Sequence, residues 1–113
     1  MDLRYYPASA RRPSQVEKYI SVLPKKEKAR VLAGLEYIRR YGFESSEGIE
    51  FRQIRGKLWE IKLAQNRIFY VTITSSCIYL LHAYKKQSQK APTREIKTAE
   101  SRMKRLLDAL ATE

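Results

Sequence analysis

Apolar residues follow two different periods along this chain. Val16, Tyr19, Ile20 and Leu23 recur at three- and four-residue intervals, the spacing of one helix face. Pro13 and Ser14 mark the start of that helix and Pro24 its end. A second helix is predicted over residues 25–41, with an apolar stripe of Leu32, Leu35 and Ile38 and with Val31 beside it. Gly42 stands where a left-handed carboxyl cap is expected. Residues 44–48 are polar, and the period then changes to two. Strands are predicted over 51–55, 58–63, 67–74 and 77–84, with turns at Gly56-Lys57, at 64–66 and at 74–76. Residues 3–6 read as a short opening strand. Short connections imply antiparallel pairing, and the nearly all-apolar 77–84 belongs in the middle of the sheet. Residues 87–92 form a polar, lysine-bearing loop, and Pro92 suits the first turn of a last helix. Ile96, Ala99, Met103, Leu106 and Leu110 share one face of it. The pattern predicts a single α+β domain over residues 1–113: a helical hairpin and a carboxyl-terminal helix packed on an antiparallel sheet of about four strands.

Charge changes the picture more than composition does. The 113 residues carry 23 Lys and Arg against 12 Asp and Glu, a net charge of +11. On so small a domain that excess creates a field that attracts polyanions. Nucleic acid is the default partner, with an anionic membrane or an acidic protein as the other choices. A single cysteine, Cys77, allows no internal disulfide and fits a reducing cytoplasm. The first seven residues lack a signal peptide's apolar stretch, and no run of ~18 apolar residues is available to span a bilayer. No cluster of Cys, His and carboxylates has metal-ligand spacing, so neither a metal nor a cofactor is expected.

The candidate chemistry sits on strand ends. Lys62 lies on the strand face opposite Trp59 and Ile61, and Arg67 opens the next strand just after a turn. Lys85, Lys86 and Lys90 follow the last strand. A hairpin brings Lys62 and Arg67 together, which suits phosphodiester chemistry. When a 2′-hydroxyl attacks the adjacent phosphorus, negative charge builds on the non-bridging oxygens. Arginine can clamp two of these at once, and lysine supplies a compact positive charge. Proton transfer is also required. His82, the only histidine, and the phenols of Tyr70 and Tyr84 are the candidates for it, with Glu60 as an alternative base. Lys57, Lys90, Arg55 and Tyr70 are candidates for contacting RNA. Structural readings compete at each position. His82 sits in an apolar strand where a hydrogen-bonded, half-buried role is favoured, Arg67 could pair with Glu60, and tyrosines in strands usually pack. Glu60 beside strand lysines would repel RNA unless a neighbour neutralises it.

Four segments in order resemble a known family. Phe51-Arg52-Gln53-Ile54-Arg55-Gly56 followed by Leu58-Trp59-Glu60-Ile61-Lys62 looks like the F-R-x-L-x-G-x-L-W-E-L-R stretch of HigB-type toxins and their phage relatives, a branch of the RelE/ParE superfamily. Arg67-Ile68-Phe69-Tyr70 resembles the end of their Y-R-[IV]-F-Y strand. Residues 80–92 are similar to L-L-H-x-F-x-K-K-[ST]-x-K-T-P. Thr93-Arg94-Glu95-Ile96 with Ala99 resembles the opening of their last helix. The resemblance implies a RelE-like fold and cleavage of mRNA on the translating ribosome by a metal-independent endoribonuclease. It also implies a small helix-turn-helix antitoxin, HigA-like, that binds the toxin in a hetero-oligomer. By position, Arg67 matches the strand arginine that contacts the scissile phosphate, Lys62 a strand basic position, and Lys85 and Lys86 the basic loop. The chain departs from the pattern at Asn66, where a tyrosine is usual, at Gln87, where a lysine is common, and at Ala91, where a threonine is. Two other functions fit the same fold: a ParE-like toxin acting on DNA gyrase, and an inactive module that binds nucleic acid or protein without turnover.

Overall fold

The computed structural model describes residues 1–7 and 12–112. Its elements run β1 (Asp2–Tyr5), α1 (Gln15–Ser21), α2 (Lys25–Tyr41), β2 (Ile49–Arg55), β3 (Leu58–Leu63), β4 (Asn66–Thr74), β5 (Cys77–Lys85) and α3 (Thr93–Ala111). The sheet has five strands in the order β1-β5-β4-β3-β2. All neighbours are antiparallel except β1, which pairs parallel to β5, with Leu3 opposite Ile78 and Tyr5 opposite Leu80. The expected sheet of about four antiparallel strands is therefore corrected to five with one parallel edge. Turn chemistry reveals hairpins, but a parallel partner needs a long crossover, and here most of the chain lies between β1 and β5.

Both faces of the sheet are covered. Ile61, Leu63, Ile68, Tyr70, Ile78 and Leu80 point to α1 and α2, where they meet Val16, Ile20, Val31, Leu35 and Ile38. Leu58, Phe69, Val71, Tyr79 and Leu81 point the other way, to Ala99 and Leu106 of α3. Ser14 caps α1, its Oγ accepting from the N–H of Val16 and Glu17 at 3.1 and 3.3 Å. In α2 the buried stripe is Val31, Gly34, Leu35 and Ile38, a complete i, i+3, i+4, i+7 set. Leu32, assigned to that stripe from the sequence, is 46% exposed because it stands one residue, about 100°, beyond it. Gly34 lets α2 approach β3, since a Cβ there would lie 2.5 Å from Leu63 Cδ2. Gly42 caps α2 through its N–H to the Ile38 carbonyl, with φ +65° and ψ −135°. That is the mirror-image β region rather than the expected left-handed helical one, and glycine alone adopts it cheaply. Among the described residues no helix is long and apolar enough to cross a membrane.

One irregularity shapes the α3 side of the sheet. Phe69 lies opposite His82 but Tyr70 lies opposite Leu80, so Leu81 has no counterpart on β4. This bulge frees the Leu81 carbonyl, and Arg102 of α3 donates to it at 2.9 Å.

Candidate functional site

Cross-strand register sets two rows of side chains on the α3 side of the sheet. Arg52, Glu60, Phe69 and His82 form one row, and Glu50, Lys62, Arg67 and Tyr84 form the next. Residues facing each other across antiparallel strands share a face, so Lys62, Arg67 and Tyr84 come together as neighbours on β3, β4 and β5. The Lys86 N–H bonds to the Gln65 carbonyl at 2.7 Å, which brings the start of the basic loop to the same end of the sheet.

A buried carboxylate organises this face. Glu60 is fully buried; it accepts from Arg52 Nη2 at 2.8 Å and from the Tyr84 hydroxyl at 2.6 Å. Its neutralising partner is Arg52, not Arg67, because Arg52 stands directly across β2 from it. Arg52 Nε is buried without an acceptor. The Tyr84 ring stacks on Phe69 at 5.3 Å. Burial, then the hydrogen bond and negative charge of Glu60, push the Tyr84 phenol well above its ordinary value of 10. Tyr84 is therefore a protonated donor at neutral pH.

Arg67 is 8% exposed. Its Nη1 donates to the carbonyls of Ala64 and Asn66 at 2.7 and 3.1 Å, clasping the β3–β4 turn, where Ala64 takes φ +57°. Among the described residues Nε and Nη2 of Arg67 donate to no protein acceptor, and neither is a buried orphan. One edge of the guanidinium thus fixes the turn while the other is open to an anion. Lys62 Nζ is 3.8 Å from Glu50 Oε2, and Glu50 is exposed, so this ion pair is weak.

His82 is held differently. Its Nδ1 is 2.9 Å from Arg102 Nη1 and its Nε2 is 3.0 Å from Glu95 Oε2. A guanidinium only donates, so Nδ1 accepts and Nε2 carries the proton to Glu95. Burial pushes the His82 value below 6.5, with Glu95 opposing the shift and Arg102 adding to it. Both ring nitrogens are occupied, and the histidine is a neutral strut between β5 and α3.

The remaining sequence candidates scatter. Lys85 turns to the other face and pairs with Glu27 at 2.8 Å, which lowers the Glu27 value chiefly through that bond. Tyr70 is 2% exposed on the α2 side, against Phe43 and Phe51, so its face is closed to a base. Arg55 is held by Glu100 of α3 through two bonds of 2.9 and 2.7 Å. Lys57 is exposed in the β2–β3 turn, roughly 17 Å along β3 from Lys62 at the strand rise per residue. Lys90 is exposed in the loop before α3. Sequence reasoning passed over Arg52, Glu95 and Arg102 as site residues; the register opposite Glu60 is the signal that could have found Arg52. It also passed over Asn66 as a tie. This buried amide accepts from Tyr19 at 2.6 Å and donates to Glu27 at 3.1 Å, and the Tyr19 phenol is pushed up to about 12 by burial and then by Glu27. Among the described residues no three His, Cys, Asp or Glu side chains could hold a metal ion.

Comparison with solved structures finds this fold elsewhere. A chain of the archaeal RelE–RelB complex from Pyrococcus horikoshii OT3 matches with a TM-score of 0.58 at 20% identity, over 79% of this chain and 97% of that one. A chain of the YoeB–YefM complex from Staphylococcus aureus matches with a TM-score of 0.50 at 16% identity, over 78% of this chain and 98% of that one. At such identities the likeness establishes the α+β architecture. No curated protein sequence matches the chain. The family model described as phage-derived protein Gp49-like matches residues 18–104, which include α2, all of β2 to β5 and the start of α3. The chain belongs to the Gp49-like family of phage-derived proteins.

Proposed function

We propose that this protein is the toxin of a toxin–antitoxin pair and cleaves mRNA on the ribosome without a metal ion. The observation that carries this reading is the row Lys62–Arg67–Tyr84. Two cations and a protonated phenol lie side by side on a rigid sheet, beside a carboxylate sealed from solvent. Arg67 Nε and Nη2 with Lys62 Nζ stabilise the charge that develops when a 2′-hydroxyl attacks the phosphorus. Tyr84 holds its one proton against Glu60; when the phosphodiester is bound the hydroxyl turns to the departing 5′ oxygen and hands that proton over, while the attacking 2′-hydroxyl gives its proton to water, which restores the phenol. Glu60 does not repel RNA because Arg52 neutralises it. Lys86 and Lys90 extend the cationic surface along the adjoining loop. The fold shared with chains of the RelE–RelB and YoeB–YefM complexes supports a protein antitoxin as partner, and the HigB-like motifs support one of the helix-turn-helix type.

The test is induced expression in cells, with mapping of mRNA ends. Cuts that depend on translation are expected. Lys62→Ala and Tyr84→Phe should each slow cleavage ~10²-fold or more, the usual cost of one such donor. Arg67→Ala would also release the β3–β4 turn, so Lys62→Ala, which breaks only a weak exposed pair, separates chemistry from folding. Growth arrest with intact mRNA and damaged DNA would assign the protein to the gyrase-directed class instead. Absence of toxicity from a folded protein would make it a binding module.

A further inference from the structure

We propose that a second cationic pocket, between α1 and α3, binds a backbone phosphate of the RNA strand beside the cleaved bond; this rests on the RNA-directed reading above. The pocket has a volume of about 300 Å³, and its lining includes Tyr6, Arg12, Gln15, Lys18, Arg102 and Arg105. It lies past the end of β1, where β5 loses its parallel neighbour. The Tyr6 N–H makes the last bond to the Leu80 carbonyl at 3.0 Å.

Charge is the first argument. Four cations line this pocket and no carboxylate does. Arg4, Arg39, Arg40, Arg52, Arg55, Lys62, Lys85 and Arg94 all have acidic partners. Among the described residues Arg12, Lys18, Arg102 and Arg105 are, of the several cations without one, the four that share this pocket. The neighbouring residues 8–11 contain no acid. Arg102 and Arg105 stand three residues apart on α3, a like-charge spacing that destabilises a helix. An anion from outside relieves that repulsion.

Position is the second argument. Two lining residues grip the strand that carries the site. The Gln15 side chain bonds both ways with the Ala83 backbone at 2.8 Å. Arg102 donates to the Leu81 carbonyl and to His82 Nδ1. The pocket is thus built on residues 81–83, immediately before Tyr84, and a strand leaving the Lys62–Arg67–Tyr84 row along the β5 edge reaches it.

Chemistry favours RNA over an acidic protein. A protein interface needs an apolar centre, and the exposed large hydrophobics Val22, Leu32, Tyr41 and Phe43 all lie outside this pocket. Phosphate binding needs only the cations.

The test uses 2′-O-methyl RNA, which lacks the attacking hydroxyl, and fluorescence anisotropy over a range of salt. A long single strand and a dinucleotide are compared on wild type, Lys18→Gln/Arg105→Gln and Arg12→Gln. These three side chains are exposed, and an unchanged thermal midpoint checks each fold. The variants should bind the long strand more weakly, with a log–log salt slope shallower by about 0.7 for each phosphate no longer held. Dinucleotide binding should be unchanged. Wild-type affinity and slope in both variants would overturn the pocket and leave the RNA-directed reading standing. A wild type that binds no RNA would overturn both. Variants that keep RNA binding but lose binding to poly-glutamate would assign the pocket to protein carboxylates and overturn the proposal.

Discussion

Glu60 is a carboxylate that solvent does not reach, and its two partners differ in what they do for it. Tyr84 supplies a hydrogen bond and Arg52 supplies charge. Arg52→Ala leaves a buried anion without its cation and should cost about 3 kcal/mol, read as a lower thermal midpoint. Adding Glu60→Gln removes the anion while keeping an acceptor for Tyr84, so the double variant should be more stable than Arg52→Ala alone. His82 gives a second prediction at this scale. In the unfolded chain it takes up a proton near 6.5, and burial holds its folded value lower. Between those values the unfolded state binds more protons, so stability is complete above about 6.5 and falls as the pH drops through the folded value. Urea midpoints taken from roughly pH 7.5 to pH 5.5 should decline in wild type and stay flat in His82→Gln. Glu27 and Glu36, whose values lie below 4.5, titrate outside that window. The sequence identified Arg67 and Lys62 as cations on neighbouring strands but, for Glu60, offered Arg67 as the alternative partner and not Arg52. Alternation tells which side chains share a face, whereas the partner across β2 depends on register, and the irregularity between Gln53 and Arg55 shifts that register.

At the scale of elements, α2 and β3 are pressed together at Gly34. Gly34→Ala gains about 1 kcal/mol of helix propensity but drives a methyl group against buried Leu63. Overpacking costs about 1–3 kcal/mol, so net destabilisation is expected by denaturant titration. Gly34→Ala/Leu63→Ala, in which the clash is removed, should lose less than Leu63→Ala alone. The six elements from α2 to α3 were legible from periodicity, with bounds shifted by two residues at most. β1 was visible as a strand, but its parallel docking was not. The loop between β5 and α3 was read from its polar residues and Pro92, but the bulge at Leu81 escaped, because it leaves no trace in the alternation of apolar residues. His82 and Arg102 were therefore not connected, although the bulge is what exposes the carbonyl that draws Arg102 in.

Across the whole molecule, a net charge of +11 opposes compaction. Added salt screens that repulsion within a Debye length of about 8 Å at physiological strength. The protein should therefore become more stable between low and moderate salt, by thermal denaturation. An absence of any salt effect on stability would show that the exposed ion pairs already balance the field. Charge was legible from composition, but its distribution was not. Carboxylates from α2, β2 and α3 cancel Lys85, Lys62 and Arg55, whereas among the described residues Arg67, Arg102 and Arg105 have no acidic partner.

The parallel edge strand also carries a timetable. Asp2–Tyr5 are synthesised first, yet the strand they pair with, Cys77–Lys85, follows α1, α2 and β2 to β4. Because nascent chains emerge amino terminus first, β1 must wait unpaired until β5 is free. The row Lys62–Arg67–Tyr84 likewise lacks its phenol until then, and His82 lacks its strut until α3 has followed. Until β5 has emerged, the growing chain holds helices and a partial sheet, and the assembled cationic face forms only afterwards.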